Sequence, residues 1–242
     1  MSKKQIMQKS KLFVALGVLL VSVPASSQTE RKAAMHQSDA IQTASILDDV
    51  HAVSPALERY TKERLLGDLW KRPDLSPRDR SIVTLAALIA RNQTVRMPYY
   101  LNLALDNGVK PSEVSEIITH LAFYSGWENA MSAVVAAKEV FRKRGIGLDQ
   151  LPPASVELLP LNEAAEKQRA TNVEQNFGAV APGVVQYTTD VLFRDLWLRP
   201  GLAPRDRSLL TPTAIKQSIS VKQNHFWPLG HLSSRTEHAA VR

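Results

Sequence analysis

The chain repeats one stretch of its own sequence 127 residues further on, without a gap. Residues 60–84 read YTKERLLGDLWKRPDLSPRDRSIVT, and residues 187–211 read YTTDVLFRDLWLRPGLAPRDRSLLT. Chance does not produce a pattern as long as DLWxRPxLxPRDRS twice in one chain. The sequence therefore contains two copies of one structural unit, and any fold for it has to place both.

The second copy is the less complete of the two. The first continues to about Gly145, whereas the similarity of the second ends at Ala214. We interpret residues 180–214 as a partial second module and residues 215–242, which show no apolar period, as a truncated or frame-shifted tail. A divergent C-terminal extension is the alternative. So small a module buries too little surface to offset its ordering entropy, and must dock on the first module, dock on a second subunit or stay loose.

The residues of the first module predict helices throughout. Ser76 is a suitable N-cap, with Pro77 at the first helical position and an apolar, buried helix continuing to Ala90. Further helices are expected from about Pro98 to Asp106, from Pro111, and after Gly126, the last with Ala130, Val134, Ala137 and Phe141 inward. No alternating strand pattern is present. The predicted fold is all-α, with the complete module in residues 28–146 and a linker and lead-in helix in residues 147–179.

In the second copy, Pro212 stands where the first has Leu85, in the middle of an apolar helix. A proline at that position is expected to break the helix. Asp79 and Arg80 recur as Asp206 and Arg207, which favours a structural ion pair at each helix start over a catalytic role.

The net charge of +7 resides in the two ends of the chain. Residues 1–27 combine four lysines with an uncharged run of twelve residues and small residues before Gln28, the layout of a secretory signal peptide. Twelve apolar residues are too few to span a membrane, so we expect an exported protein with no stable membrane anchor. Because residues 28–214 are neutral overall, the sequence offers no nucleic-acid-binding surface.

The chain has no cysteine. This excludes disulfides, thiolate metal sites and cysteine nucleophiles. The histidines of the last segment, His225, His231 and His238, fit no zinc-binding spacing, and no glycine-rich phosphate loop is present, so no metal or cofactor is expected.

Two runs carry a resemblance to a known family: LSPRDRSIVTLAALIA at residues 75–90 and ALDNGVKPSEVSEIITHLAFYSGWENAMSAVVAAKEVF at residues 104–141. Together they resemble the carboxymuconolactone decarboxylase family, over about residues 53–146 and again over 180–214. The resemblance implies an alkylhydroperoxidase-D-like helical bundle that forms homo-oligomers. It also implies cofactor-free lyase chemistry on a small carboxylated lactone or related cyclic enol. The thiol peroxidases of the same family need cysteines, which this chain lacks.

The resemblance also points to candidate site residues. Tyr100 stands where the decarboxylases usually carry a histidine, and Arg96 lies one helical turn before it; they are candidates for a hydrogen-bond donor and a carboxylate clamp, or for a packing tyrosine beside a solvated arginine. His120 is a candidate acid/base or a helix-face histidine bonded to a neighbour. Tyr124 and Trp127 are candidate substrate contacts, with core packing or a subunit contact as the alternative. A non-catalytic helical binding or assembly module remains the alternative function.

Overall fold

The computed structural model describes residues 49–223, with side chains up to residue 218. The predicted signal peptide and residues 224–242 of the predicted tail lie outside this range. The chain divides into two units between Pro55 and Ala56. The described part of the first unit, residues 49–55, includes a helical stretch at residues 49–53. All that follows concerns the second unit.

The described residues form helices and short helical turns, and no strand, which confirms the all-α prediction. The α-helices are α1 (Pro55–Tyr60), α2 (Pro77–Ala90), α3 (Met97–Asp106), α4 (Pro111–Ser125), α5 (Trp127–Arg144), α6 (Glu163–Phe177), α7 (Pro182–Tyr187) and α8 (Pro204–Gln223). A π-helical and a 3-10 turn follow α1 at Thr61–Leu66 and Leu69–Lys71, and follow α7 at Thr188–Phe193 and Leu196–Leu198. None of the described helices is long and apolar enough to cross a membrane.

The sequence repeat is also a structural repeat. Each element from α7 to the start of α8 begins 127 residues after its counterpart between α1 and α2. Equivalent hydrogen bonds recur as well: Arg80 Nη1 donates to the carbonyl of Arg72 at 2.6 Å, and Arg207 Nη2 donates to the carbonyl of Arg199 at 2.9 Å. The repeated sequence therefore adopts the same local structure at both places.

Helix α2 lies at the centre of the fold. The side-chain oxygen of Ser76 accepts a hydrogen bond from the backbone of Asp79 at 3.1 Å, which confirms the predicted N-cap. Helices α3, α4, α5 and α8 all pack against α2, and α8 also packs against α4. The second copy thus docks on the first module, one of the three outcomes that the sequence left open.

Crossed ion pairs join the starts of α2 and α8. Arg78 Nη2 donates to Asp206 at 2.7 Å, and its counterpart Arg205 donates to both oxygens of Asp79 at 2.7 and 2.8 Å. The expected pairing within each helix start is therefore wrong for Asp79 with Arg80, because the carboxylate is bound by an arginine from the other copy. The hydrogen bonds from Arg205 hold the pKa of Asp79 at about 2.

The structure departs from the sequence predictions at Pro212. This residue lies inside α8, which continues to Gln223 and so includes the first nine residues of the predicted tail. Leu210 and Ala214 on either side of it are fully buried. Burial of these side chains in the core offsets the hydrogen bond that the proline removes.

Val134 also departs from its predicted place. It is 45% exposed, and the inward positions of α5 are Ala130, Ala133, Ala137 and Val140. Helix α5 has enough apolar residues to form two apolar faces. The sequence pattern alone therefore did not show which of the two faces is turned towards the core.

Candidate functional site

Four of the five predicted site residues fall into two clusters rather than one, and the fifth, Trp127, belongs to neither. The first, here named the Tyr100 cluster, consists of Trp70, Arg96, Tyr99 and Tyr100. The second, the Glu116 cluster, consists of seven residues of α4 and the second copy: Glu116, His120, Tyr124, Trp197, Arg199, Arg207 and Thr211. In the described part of the chain, no hydrogen bond, ion pair or ring contact joins His120 to Arg96 or Tyr100.

The Tyr100 cluster is built on the first turn of α3. Arg96 is the N-cap residue, and its guanidinium lies 5.1 Å from the ring centre of Tyr99. The ring of Tyr99 meets that of Tyr100 edge-on at 5.0 Å, and Trp70 stacks on Tyr100 at 6.4 Å. The cluster therefore places the cation of Arg96 and the phenol of Tyr100 a helical turn apart, with the rings of Trp70 and Tyr99 beside them.

Tyr100 is half-buried and packs against the core. Burial raises the pKa of Tyr100, although the nearby charge of Arg96 opposes the shift. The phenol therefore stays protonated at neutral pH and can donate a hydrogen bond. The Nε atom of Arg96 is buried and has no hydrogen-bond partner among the described residues. Arg80, Arg169 and Arg207 each also have one such nitrogen, so this feature is not specific to Arg96. An anion bound beside Arg96 would satisfy its N–H.

The Glu116 cluster is centred on a buried carboxylate. Glu116 is bound by Arg199, from Nη2 at 2.8 Å, and by Arg207, also from Nη2 at 2.8 Å. Burial alone would raise the pKa of Glu116, but the hydrogen bonds from Arg199 and Arg207 hold it below its usual value. Gly201 approaches this carboxylate so closely that an added Cβ would lie 2.8 Å from Glu116 Cγ.

The contacts of His120 fix its tautomer. The hydroxyl of Thr211 donates to the carbonyl of Arg207 at 2.8 Å, so it can only accept from His120 Nε2, which lies 2.9 Å away. The other ring nitrogen, Nδ1, then carries the lone pair and faces Arg207 Nη1 at 3.3 Å. Burial, together with the charge of Arg207, lowers the pKa of His120 to about 3. The imidazole is neutral, fully buried and bonded at both nitrogens.

Tyr124 and Trp127 occupy different environments. The ring of Tyr124 stacks on His120 at 4.8 Å, and its hydroxyl accepts a hydrogen bond from Trp197 Nε1 at 2.8 Å. Trp127 is 60% exposed and contacts Phe123 edge-on at 5.5 Å. The structure thus joins Tyr124 to His120 and leaves Trp127 at the surface.

A cavity of about 560 Å³ adjoins the Glu116 cluster on the far side of Trp197. Its walls are mostly apolar and include Phe193 and Leu198, while Glu166 and Arg169 provide charge. Arg169 forms two hydrogen bonds with Glu166, and its guanidinium lies 4.3 Å from the ring centre of Phe193. The volume is within the usual range for small-molecule sites. Among the described residues, no three histidines or carboxylates are placed to hold a metal ion.

Sequence reasoning missed the partners that the second copy contributes. Glu116, Trp197 and Arg199 were not candidates, and Arg207 was expected to pair locally. The repeat itself was the available signal, because Trp197, Arg199 and Arg207 all recur from the first copy. The repeat indicated that these residues are important, but it did not indicate which helix they contact.

Comparison with known proteins agrees with the resemblance. Residues 55–139 match the profile of the carboxymuconolactone decarboxylase family. The chain is 29% identical over 105 residues to 4-carboxymuconolactone decarboxylase of Acinetobacter baylyi, which covers 43% of this chain and 78% of that protein. It is also 29% identical over 73 residues to nitrosuccinic acid decarboxylase of Metarhizium robertsii, which covers 30% of this chain and 51% of that protein.

Proposed function

Because the chain belongs to the carboxymuconolactone decarboxylase family through residues 55–139, we propose that it is a decarboxylase-type lyase. Its substrate in this proposal is a small carboxylated lactone or a related cyclic enol, and it uses no cofactor. Both relatives described above are named as decarboxylases, which supports this class of reaction.

The proposed reaction needs two groups from the protein. The bond between the ring carbon and the carboxylate breaks, and its electron pair passes by conjugation onto the carbonyl oxygen of the lactone. A cation must bind the carboxylate before it leaves as CO₂, and a hydrogen-bond donor must stabilise the developing oxyanion. A proton from solvent, passed on by the same hydrogen-bond donor, then takes the place of CO₂ on carbon.

The Tyr100 cluster supplies both groups, and this is the observation that carries the proposal. Arg96 has a free buried N–H and stands at the N-terminus of α3, whose dipole also favours an anion. Tyr100 is held protonated by burial and lies one turn further along the same helix. In the proposal Arg96 binds the carboxylate and Tyr100 donates to the oxyanion, with Trp70 and Tyr99 as aromatic walls.

The roles proposed for the remaining candidates differ. A catalytic role for His120 stays a prediction. The ring of His120 is buried and has a hydrogen-bond partner at each nitrogen, which supports the alternative of a histidine bonded to its neighbours. Substrate contacts by Tyr124 and Trp127 also stay predictions. Export of the chain is a proposal resting on residues 1–27, and N-terminal sequencing of exported protein that still begins at Met1 would contradict it.

One observation favours a second candidate, a non-catalytic assembly module. The charged and aromatic residues of the Glu116 cluster bind one another, and they join α4 to the second copy. Polar groups that bond to one another are not available to a substrate. In this second proposal the chain is a helical scaffold that converts no substrate.

An assay on the purified chain distinguishes the two candidates. With 4-carboxymuconolactone as the probe, the lyase proposal expects CO₂ release above the uncatalysed rate, with loss of that release in Tyr100→Phe. A folded chain that releases no CO₂ from this lactone, and none from other small carboxylated lactones, would favour the assembly module.

A further inference from the structure

The repeat provides two copies of one group of arginines and a tryptophan, and only the second copy holds a buried carboxylate in the described structure. That carboxylate is Glu116 of α4, which both arginines bind at 2.8 Å. The members of the group recur 127 residues apart as three pairs: Trp70 and Trp197, Arg72 and Arg199, Arg80 and Arg207. The earlier member of each pair belongs to what is named the first-copy group.

The first-copy group has the backbone contacts of its counterpart. Arg80 Nη1 donates to the carbonyl of Arg72 at 2.6 Å. Arg207 Nη2 donates to the carbonyl of Arg199 at 2.9 Å. The Nε atoms of Arg80 and Arg207 are also alike, since each is buried without a hydrogen-bond partner among the described residues. The guanidinium of Arg80 is therefore held in the same way as the one that binds Glu116.

The acceptors of the second copy have no equivalent around the first-copy group in the part of the chain that the structure describes. Arg80 binds no carboxylate there, and its only side-chain hydrogen bond is the one to Arg72. The indole N–H of Trp70 has no acceptor among these residues, whereas that of Trp197 donates to Tyr124. Trp70 and Arg80 are both only partly buried, so a ligand from solvent can reach them.

Arg72 differs from its counterpart because it pairs with Asp74. Arg72 Nε donates to Asp74 Oδ2 at 3.0 Å, and the two side chains are 59% and 68% exposed. The second copy has Gly201 at the position of Asp74, and a Cβ added there would lie 2.8 Å from Glu116 Cγ. Asp74 thus stands where the second copy leaves room for a carboxylate. An exposed pair of this kind contributes little, so an anion can compete with Asp74.

The second copy also indicates what a ligand of the first-copy group has to carry. Glu116 supplies the carboxylate, and one helical turn further along α4 the ring of His120 meets Trp197 edge-on at 5.2 Å. One small molecule replaces both side chains if it carries a carboxylate on a flat ring. The carboxylate then accepts from Arg80, and the ring packs against Trp70.

We propose that Trp70 and Arg80 form a binding site for a small cyclic carboxylate. The site is separate from the Glu116 cluster and adjoins the Tyr100 cluster, with which it shares Trp70. The bound carboxylate takes the place at Arg80 that Glu116 has at Arg207. The inference is independent of the lyase proposal, because it concerns binding and no bond of the ligand breaks.

The two tryptophans of the repeat make an NMR titration with benzoate the direct test. Benzoate is a carboxylate on a flat ring and is not a lactone. It is expected to move the indole signal of Trp70 in a saturable way, while that of Trp197, which is bonded to Tyr124, stays in place. Trp70→Phe removes one indole signal and so assigns it. Benzamide has the same ring without the charge and is expected to bind about tenfold more weakly.

Two substitutions are expected to change the affinity for benzoate in opposite directions. Arg80→Gln removes the cation and should weaken binding about tenfold. Asp74→Gly introduces the residue of the second copy and removes a competing carboxylate, so binding should tighten about threefold. Arg142→Gln removes a positive charge from an arginine that is 66% exposed outside the site, and as the matched control it should leave the affinity unchanged.

An indole signal of Trp70 that does not move at about 50 mM benzoate would overturn the proposal. An equal shift with benzamide would also overturn it, since it would show stacking without recognition of the carboxylate. Unchanged affinity in a folded Arg80→Gln variant has the same consequence. If that variant does not fold, Asp74→Gly decides, and unchanged or weaker binding of benzoate by it would contradict the site.

Discussion

Arg207 Nη2 lies 2.8 Å from Glu116 Oε2, and neither side chain is more than 1% exposed to solvent. Glu116 belongs to α4 of the first module and Arg207 to α8 of the second copy. The second copy is therefore held to the first module by a buried ion pair as well as by apolar packing. Arg199, from the same copy, binds the other side of the carboxylate.

Glu116→Gln should destabilise the fold strongly. The substitution keeps the size of the side chain but leaves Arg199 and Arg207 as buried cations without a counter-charge. Removing one partner of a buried ion pair costs about 3–5 kcal/mol of unfolding free energy. Urea denaturation followed by circular dichroism measures this loss.

Glu139→Gln is the matched control for this substitution. Glu139 also pairs with an arginine, Arg142, but both side chains are exposed, 55% and 66%. Exposed pairs contribute little because water screens them, so stability should barely change. Equal effects of the two substitutions would show that the buried pair does not hold the copies together.

Stability should fall as the pH is lowered from about 7 to 4. The pKa of His120 is about 3 in the folded chain and ordinarily 6.5, so below pH 6.5 the unfolded chain binds a proton that the folded chain does not. Its contribution is complete above pH 6.5 and is lost progressively as the pH falls towards 3. One such group accounts for about 1.4 kcal/mol per pH unit within that window.

His120→Gln isolates this contribution, because glutamine does not titrate. The unfolding free energy of the variant, measured in urea between pH 6.5 and 4, should depend on pH less steeply than that of the wild type, by about one proton. An unchanged slope would mean that His120 is protonated in the folded chain, contrary to the tautomer derived from its contacts.

Gly201→Ala should be destabilising although the backbone at this position is unremarkable. The new Cβ would lie 2.8 Å from Cγ of Glu116, a side chain that two arginines hold in place. Overpacking of this kind costs about 1–3 kcal/mol. Gly183→Ala is the control, because no atom lies within 4 Å of its added Cβ. Thermal unfolding of both variants compares them, and a neutral Gly201→Ala would contradict the close approach.

The sequence predicted most of the first module because its signals are local. The N-cap at Ser76 and the start of α4 at Pro111 each depend on a few adjacent residues, and both are observed. The tertiary partners could not be predicted, since no local pattern indicates that Arg207 reaches α4 or that Arg78 crosses to Asp206. Pro212 shows the reverse case, in which burial of neighbouring residues outweighs a strong local preference.

The two charged places that could bind a substrate carboxylate can be separated by mutation. Arg96→Gln should raise the KM for 4-carboxymuconolactone, because it removes the proposed cation from the Tyr100 cluster. Arg169→Lys, in the cavity beside Trp197, should leave KM near the wild-type value and still pair with Glu166. Steady-state kinetics of both variants test this. A raised KM in Arg169→Lys with an unchanged KM in Arg96→Gln would indicate that the substrate binds in the cavity instead.

The nature of the side chain at position 100 should set the rate of the reaction. Tyr100→His is expected to raise decarboxylation, because a group with an ordinary pKa near 6.5 transfers protons at neutral pH better than a phenol near 10. Initial rates of CO₂ release measure the effect. Unchanged or lower activity in a folded Tyr100→His variant would argue against a place for residue 100 in proton transfer.

The central claim is that the hydroxyl of Tyr100 acts in catalysis, and the most direct measurement compares kcat/KM of Tyr100→Phe with that of Tyr99→Phe. Both substitutions remove one hydroxyl and keep the ring, so the stacking of the cluster is preserved. Loss of a donor to a developing oxyanion lowers the rate about 10²-fold, and this loss is predicted for Tyr100→Phe alone. Equal kcat/KM values for the two variants, with both folded, would contradict the account.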